Sequence, residues 1–198
     1  MPRSRAATRQ RILDGAYALF YRQGFARTSM DEIATGAGVA KRTLYARYDS
    51  KDSLLADVLE RQHELAIERI DDWAKKLAEG GDAAVDMVFA EIVRWSASRQ
   101  WTGSGFTRLV MELADLPGHP ARKIASRHKA FVEERLSAMF GSRQFGAELM
   151  LVIEGALTLL LVHGDRRYCE VAAAAAKKLL AAYRSDTSDK STFHDHSK

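Results

Sequence analysis

One short segment of the 198-residue chain concentrates basic and hydroxyl side chains, and it lies between residues 41 and 48. It contains Lys41, Arg42, Thr43, Tyr45, Arg47 and Tyr48. Lysine and arginine bind phosphate oxygens or guanine, and threonine and tyrosine hydroxyls bind phosphate. A helix over this segment would turn most of these side chains outward and leave Leu44 and Tyr48 inward. The segment therefore predicts a surface that contacts nucleic acid.

The net positive charge of the chain comes from its first quarter. Residues 1–51 hold ten Lys and Arg against four acids, a net charge of +6, whereas the remaining residues carry a net charge of −2. A basic head on a nearly neutral body predicts a polyanionic partner for the head alone. On charge alone, a solvated basic surface is an equal alternative.

The elements that must position this surface are helices. Apolar residues recur at three- and four-residue spacing, and no strand-like alternation persists, so we expect an all-α fold of about nine helices. The first helix should end near Gly24, and Ser29 with Glu32 predicts a capping box that opens a second helix ending at Gly36. The glycines at 36 and 38 allow a tight turn into a third helix at 41–48. This is a helix-turn-helix arrangement.

The rest of the chain predicts a larger helical body. Ser50 should cap a long fourth helix reaching about residue 78, followed by helices at about 83–100, 103–115, 120–140, 144–163 and 166–184. The predicted organisation is a helix-turn-helix DNA-binding domain at 1–50, a ligand-binding and dimerisation domain at 51–184, and a disordered polar tail at 185–198. The apolar stretch from Leu149 to Val162 is broken by Glu154 and is shorter than the roughly 20 residues of a membrane span, so we expect no membrane contact.

The N-terminal segment resembles that of the TetR family of bacterial repressors. The resemblance runs from Thr8 to Leu55 and rests on TRQRILDGAYALFYRQGFARTSMDEIATGAGVAKRTLYARYDSKDSLL. It implies a dimeric repressor that binds a pseudo-palindromic operator in double-stranded DNA and is released by a small molecule.

The resemblance also implies roles for particular residues. Thr28, Tyr45 and Lys51 match positions that contact backbone phosphates, and Ser29, which opens the helix beside them, is a further candidate for a DNA contact. Lys41, Arg42 and Thr43 match the start of the recognition helix that enters the major groove. Arg42 stands where glycine is frequent and Arg47 where histidine is frequent, so both add charge to the DNA-binding surface. Thr28 has a second interpretation as the start of a helix cap.

The body carries candidates for dimer and effector contacts. Helix 144–163 is apolar around much of its circumference, which is more than the core of one chain requires, so we expect the last two long helices to form a homodimer. The alternative is that both helices are buried inside one monomer. Aromatic, methionine and embedded polar side chains predict a site for a hydrophobic or aromatic effector, although each of them also suits an ordinary core. The candidates are Trp95, Phe106, Met111, Glu112, His128, Glu154 and Thr158.

Other classes of protein have weaker support in the sequence. It contains no glycine-rich phosphate loop and no HExxH arrangement, so a small helical enzyme is an alternative without a motif. A nonspecific or architectural DNA-binding protein also fits the basic head. No cofactor or metal is expected, and His194-Asp195-His196 should be inert. The single cysteine, Cys169, suits the cytoplasm and is either a packed residue or a redox-sensing thiol.

Overall fold

The computed structural model describes residues 5–76, 81–99 and 101–192, and over these residues the chain forms helices and turns and no strand. The helices are α1 Arg5–Gln23, α2 Met30–Gly36, α3 Lys41–Tyr45, α4 Lys51–Lys76, α5 Asp82–Trp95, α6 Gly105–Glu112, α7 Pro120–Phe140, α8 Arg143–His163 and α9 Arg167–Thr192. The prediction of an all-α fold of about nine helices is confirmed for the described part of the chain. The predicted end of the fourth helix at about residue 78 lies outside the described residues.

Local signals in the sequence set the ends of the first helices. Ser29 caps α2: its hydroxyl accepts the Glu32 N–H, and the Glu32 carboxylate accepts the Ser29 N–H at 2.7 Å, which confirms the predicted capping box. Ser50 caps α4, accepting the Ser53 N–H at 3.0 Å. Between them α3 ends at Tyr45, three residues before the predicted end, because the chain already turns at residues 46 and 47.

The described chain divides into two compact units. The first contains the chain up to Arg69 together with Ser104–Lys129, and the second contains Ile70–Gly103 together with the chain from Ala130 onward. The predicted boundary at residue 50 does not coincide with this division. The segment 51–69 and helix α6 pack with the helix-turn-helix instead of with the body.

The core of the first unit joins the helix-turn-helix to the elements packed on it. Ile12, Leu13 and Ala16 of α1 recur at three- and four-residue spacing and are fully buried, as are Ile33 of α2 and Leu44 of α3. The same cluster includes residues of α4, α6 and the start of α7, namely Leu54, Leu55, Val58, Phe106, Leu109, Ala121 and Ala125. The helix-turn-helix is therefore stabilised in part by residues that come more than fifty positions later.

The core of the second unit is built on α5, α8 and α9. Phe145 and Leu149 of α8 are fully buried, and the alanine run of α9 lets that helix pack closely through Ala172 and Ala176. A Cβ on Gly146 would lie 2.7 Å from the Ser137 backbone, so glycine is needed where α8 crosses α7. Gly164, at φ 67°, ends α8 in the left-handed conformation.

Helix α8 is also long and apolar enough to cross a membrane by length and composition, with a mean hydropathy of 2.0 over 18 residues. The expectation that this segment is too short was wrong, because α8 extends over 21 residues. However, one face of α8 supplies much of the core of the second unit. A core helix of a globular unit has the same length and composition, so this feature is weak evidence for a membrane.

Helix α9 is longer than the sequence indicates. It was expected to end at 184, where a polar tail begins, yet it continues to Thr192. The backbone hydrogen bonds of the helix continue beyond its alanine-rich turns. The Ser185 hydroxyl donates to the Ala181 carbonyl at 3.1 Å and does not cap the helix. The rest of the predicted tail, with His194-Asp195-His196, lies outside the described residues.

Candidate nucleic-acid interface

The turn between α2 and α3 is held by two contacts with α1. Gly38 adopts φ 59°, a left-handed conformation that favours glycine. Gly15 of α1 lies so close to Ala37 that a Cβ there would be 3.1 Å from the Ala37 backbone. The Arg11 guanidinium, also on α1, donates to the carbonyls of Ala37 and Gly38. The turn is therefore fixed by α1, which sets the direction in which α3 leaves it.

The start of α3 presents an exposed polar face. Lys41 and Arg42 are exposed, and Tyr45 is 49% exposed although its neighbour Leu44 is fully buried. Thr43 is half-buried. Lys41 forms an ion pair with Asp31 of α2, and both side chains are more than half exposed. A surface pair of this kind stabilises little, so a phosphate or base can compete for the lysine.

Arg47 and Tyr48, which follow α3, contact the start of α1 and α4. The Arg47 guanidinium donates to the Arg5 carbonyl at 2.9 Å, so it is half-buried. The Tyr48 hydroxyl donates to Asp57 at 2.8 Å, and Arg9 pairs with the same carboxylate at 3.0 Å. Burial and the hydrogen bond to Asp57 raise the pKa of Tyr48 to about 12. Tyr48 is buried, as the sequence pattern predicts.

Two residues that the resemblance assigns to phosphate contacts are used inside the protein. The Thr28 side chain is only 2% exposed and its hydroxyl donates to the Gly24 carbonyl at 2.7 Å. The Thr28 hydroxyl thus has a structural role in the loop, and its phosphate contact stays a prediction. Lys51 reaches the same loop: its ammonium donates to the carbonyls of Phe25 at 2.9 Å and Thr28 at 3.0 Å. A phosphate contact by Lys51 would have to share the ammonium with these carbonyls.

Ser29 has a comparable internal role. Its hydroxyl and backbone N–H both donate to the Glu32 carboxylate, and these hydrogen bonds hold the pKa of Glu32 below its usual range. The Ser29 side chain nevertheless lies on the surface. Its predicted DNA contact stays a prediction.

Sequence reasoning missed Arg11 and Asp57. Arg11 joins α1 to a turn 26 residues later, and Asp57 joins α4 to Tyr48 and Arg9. A basic residue on the outer face of α1 and an acid in α4 have no local pattern that marks them. The roles of Arg11 and Asp57 are recognisable only in the folded structure, where their contacts with the turn and with Tyr48 are formed.

Two of the predicted effector residues are in contact in the first unit. The rings of Phe106 and His128 stack at 3.8 Å with 12° between their planes, and His128 is 8% exposed. His63 of α4, which the sequence analysis did not single out, lies with Nδ1 3.2 Å from the Nδ1 of His128. Desolvation, then the charge of Lys129, lowers the pKa of His128 to about 3, and desolvation lowers that of His63. Both imidazoles are neutral at pH 7.

Glu112 and Met111, at the end of α6, do not join this ring cluster. The Glu112 carboxylate accepts the Ala26 N–H at 3.2 Å and lies 3.6 Å from the Arg108 guanidinium. The Glu112 carboxylate thus holds the loop before α2, and its role in orienting a ligand stays a prediction. Met111 is 64% exposed.

The remaining effector candidates lie in the second unit. Trp95 is partly exposed and its ring packs edge-on against Trp101 at 5.8 Å. Thr158 is exposed on α8, and its hydroxyl donates to the Glu154 carbonyl at 2.8 Å. The Nε1 of Trp101 is buried and has no hydrogen-bond partner among the described residues. Roles for Trp95, Glu154 and Thr158 in ligand binding stay predictions.

The described part of the chain gives little support for metal or redox chemistry. No three residues of the His, Cys, Asp and Glu types come together there as a metal site. Cys169 is 1% exposed, and burial, then the charge of Glu170, raises the pKa of its thiol. A buried thiol that resists ionisation is a poor redox sensor, which favours the packed interpretation of Cys169.

A fixed turn between two short helices, with an exposed basic face at the start of the second, defines a helix-turn-helix DNA-binding domain. Residues 12–58 match the family model for bacterial regulatory proteins of the tetR family. The HTH-type transcriptional repressor SCO4008 of Streptomyces coelicolor is 31% identical over 127 residues, which is 61% of this chain and 62% of that protein. The regulator AcrR of Shigella flexneri is 43% identical over 53 residues, 27% of this chain and 25% of that protein.

The likeness of fold extends along most of the chain. The crystal structure of SCO4454, a TetR-family transcriptional regulator from Streptomyces coelicolor, superposes with a TM-score of 0.79 at 22% identity, covering 89% of this chain and 96% of that one. The N-terminal segment is thus similar to the DNA-binding domain of bacterial regulators of the tetR family, and the fold along most of the chain is that of a solved TetR-family structure. Its matches to the curated relatives span less than two thirds of their length.

Proposed function

We propose that the protein is a ligand-responsive transcriptional repressor that binds a pseudo-palindromic operator in double-stranded DNA. The observation that carries the proposal is the exposed face of Lys41, Arg42 and Tyr45 on a turn fixed by Arg11 and Gly15. A rigid recognition helix binds DNA at a lower entropic cost than a mobile one. The Streptomyces relative is named a repressor, which supports repression as the direction of control. A DNA-bound regulator of this kind acts in the cytoplasm of a bacterium.

Specific recognition requires two copies of the chain. One helix-turn-helix reads only a few base pairs, and two copies about 34–36 Å apart read successive major grooves. Helices α8 and α9 are the proposed interface. Leu151 and Val162 of α8 and Val171 of α9 are each more than 60% exposed, and Gly155 leaves open space for an approaching helix. These exposed apolar side chains support a homodimer.

The proposed effector is a small hydrophobic or aromatic molecule. The cluster of Phe106, His128 and His63 supports this class, because aromatic side chains line the sites of planar apolar ligands. The effector would bind more tightly to a conformation in which the two helix-turn-helix domains are spaced wrongly for successive major grooves. The protein would then release its operator. Only this difference in affinity can shift the population.

The experiment that tests the proposal measures binding of the purified protein to a fluorescent duplex of its own promoter region. Fluorescence anisotropy at fixed salt should give an affinity at least about a thousandfold tighter than for a scrambled duplex of equal length. Equal affinities for the two duplexes would instead support an architectural DNA-binding protein. An absence of binding at low salt would contradict the proposed function altogether.

A further inference from the structure

The basic side chains between α2 and the start of α4 differ in whether the protein itself occupies them. The Lys41 ammonium forms an ion pair with the Asp31 carboxylate. The Arg47 guanidinium donates to the Arg5 carbonyl at 2.9 Å. The Lys51 ammonium donates to carbonyls of the loop before α2. A nucleic-acid contact by any of these three side chains must therefore compete with an acceptor that is already in place.

Arg42 differs from these three residues. Its side chain is exposed, and among the residues that the structure describes no group accepts a hydrogen bond from its guanidinium. A guanidinium carries five N–H donors in a fixed plane and has no acceptor atom. In the free protein these donors bind water. Arg42 can therefore bind an outside acceptor without breaking a contact that holds the fold.

Arg42 also stands on the outermost face of α3. Leu44, two residues later, is fully buried and packs α3 against the core of the first unit. Residues two positions apart in a helix lie about 160° apart around its axis, so Arg42 points almost directly away from that core. Arg11 and Gly15 fix the turn before α3, so this face is held in one orientation. When a recognition helix lies in the major groove, a residue at its N-terminal end on this face meets the base edges.

The hydrogen-bonding pattern of a guanidinium selects one base edge in the major groove. Because the group has donors alone, it needs two neighbouring acceptors to form two parallel hydrogen bonds. Guanine presents N7 and O6 as such a pair, whereas adenine presents N7 beside a donor and cytosine presents a donor. Thymine presents one acceptor beside a methyl group. An unoccupied arginine at this position therefore favours guanine over the three other bases.

We propose that Arg42 is a specificity-determining residue, and that each half-site of the bound DNA contains a guanine whose N7 and O6 accept hydrogen bonds from its guanidinium. Lys41 contributes affinity that depends little on sequence, because its ammonium is a point charge shared with Asp31. The inference rests on the proposed function, since it names the base that the same DNA-binding surface reads.

The first experiment selects tightly bound duplexes from a randomised library, with the full chain and with its Arg42→Ala variant. The parent protein should enrich one G·C pair in each half-site, and Arg42→Ala should lose the preference at that pair while keeping the rest of the selected sequence. Arg22→Ala, which removes an exposed arginine of α1, is the matched control and should select the same sequence as the parent. A guanine preference at that pair that survives in Arg42→Ala would overturn the proposal.

A modified base tests the contact at the level of atoms. Replacing the selected guanine by 7-deazaguanine removes N7 and keeps the base pair and O6. Fluorescence anisotropy at fixed salt should show an affinity at least about fivefold lower for the parent protein, because one of two parallel hydrogen bonds is lost. The affinity of Arg42→Ala should not change on this replacement. An equal loss in the two proteins would place the contact on another residue and overturn the proposal.

Asp31→Asn separates the role of Arg42 from that of Lys41. It frees Lys41 from its ion pair, so the affinities for selected and scrambled duplexes should rise alike, by about twofold to fivefold. The preference for guanine should stay unchanged. A stronger preference for guanine in Asp31→Asn would assign the base contact to Lys41 and overturn the proposal.

The selection also distinguishes failure of this inference from failure of the proposed function. A parent protein that enriches no sequence overturns both. A parent protein that enriches a sequence, with Arg42→Ala weakening all duplexes equally, keeps the proposed repressor and makes Arg42 a phosphate contact. That result overturns the inference alone.

Discussion

Lys41 and Arg42 are the residues on which DNA affinity should depend most. Both are exposed at the start of α3, and neither supplies the core of the first unit. Lys41 pairs only with the exposed Asp31. Their contribution to folding is therefore small, and a change in affinity caused by their loss can be assigned to lost DNA contacts.

We expect Lys41→Ala and Arg42→Ala to weaken operator binding without lowering the melting temperature. Each lost base contact should cost about 1–3 kcal/mol, whereas a lost phosphate contact should weaken all duplexes equally and reduce the salt dependence. Fluorescence anisotropy over a series of salt concentrations distinguishes the two contacts. Normal affinity in both variants would contradict the placement of the recognition helix.

The pair of His63 and His128 should make stability depend on pH. The pKa of His128 in the folded protein is about 3, below its ordinary value of 6.5, so the unfolded chain binds a proton that the folded chain does not. The contribution is fully present above about pH 6.5 and falls as the pH drops toward 3. The pKa of His63 is lowered in the same direction.

The measurement is the free energy of unfolding by urea between pH 7.5 and pH 5. It should decrease with falling pH, by up to about 1.4 kcal/mol per unit for each group that titrates in this way. His128→Asn retains a hydrogen-bonding group near His63 but cannot be protonated, so it should flatten this slope. An unchanged slope in His128→Asn would contradict the assignment.

At the scale of elements, the turn between α2 and α3 depends on Gly38 and much less on Gly36. Gly38 has φ 59°, and a Cβ there would lie 2.8 Å from the Arg11 guanidinium. Gly36 has no such conformation, and a Cβ there would make ordinary contact with Leu19 at 3.5 Å. The two glycines share one turn and differ in backbone conformation, so they form a matched pair.

Gly38→Ala should therefore destabilise the protein by about 1–2 kcal/mol, because the left-handed conformation disfavours a Cβ and Arg11 must move. Gly36→Ala should be neutral or stabilising, because alanine leaves the unfolded chain fewer conformations than glycine does, so that folding loses less entropy. Thermal unfolding followed by circular dichroism gives both values. A larger loss in Gly36→Ala than in Gly38→Ala would contradict the role given to the turn.

The elements that could be predicted from sequence are those whose signals are local. The Ser29–Glu32 capping box spans four residues and was predictable, as were the stops at the glycines. Arg11 binds a turn 26 residues away and Glu112 a loop 86 residues away, so no short pattern marks either. Thr28 and Lys51 show the same limit: residue type suggests a phosphate contact, whereas the fold directs both side chains into the loop.

At the scale of the whole molecule, apolar surface remains on α8 and α9 after folding. Leu151 is 74% exposed and Val162 67%, although α8 also supplies buried residues to the core of the second unit. The apolar circumference was visible in the sequence, but which of its residues are buried within one chain was not. Exposed leucine and valine side chains on one helix are typical of an interface between copies.

Leu151→Lys should convert the proposed homodimer into a monomer. In a symmetric interface each copy loses one leucine, and burial of a leucine contributes about 1.5–3 kcal/mol, so the dimer dissociation constant should rise at least about a hundredfold. Sedimentation velocity at micromolar concentration measures the change. Leu116→Lys, at a position 50% exposed in the segment after α6, is the matched control and should leave the dimer intact.

Operator affinity should fall in Leu151→Lys alone, because a single head reads one half-site. A parent protein that sediments as a monomer would contradict the proposed interface, whereas a dimer that survives Leu151→Lys would place the interface on another face.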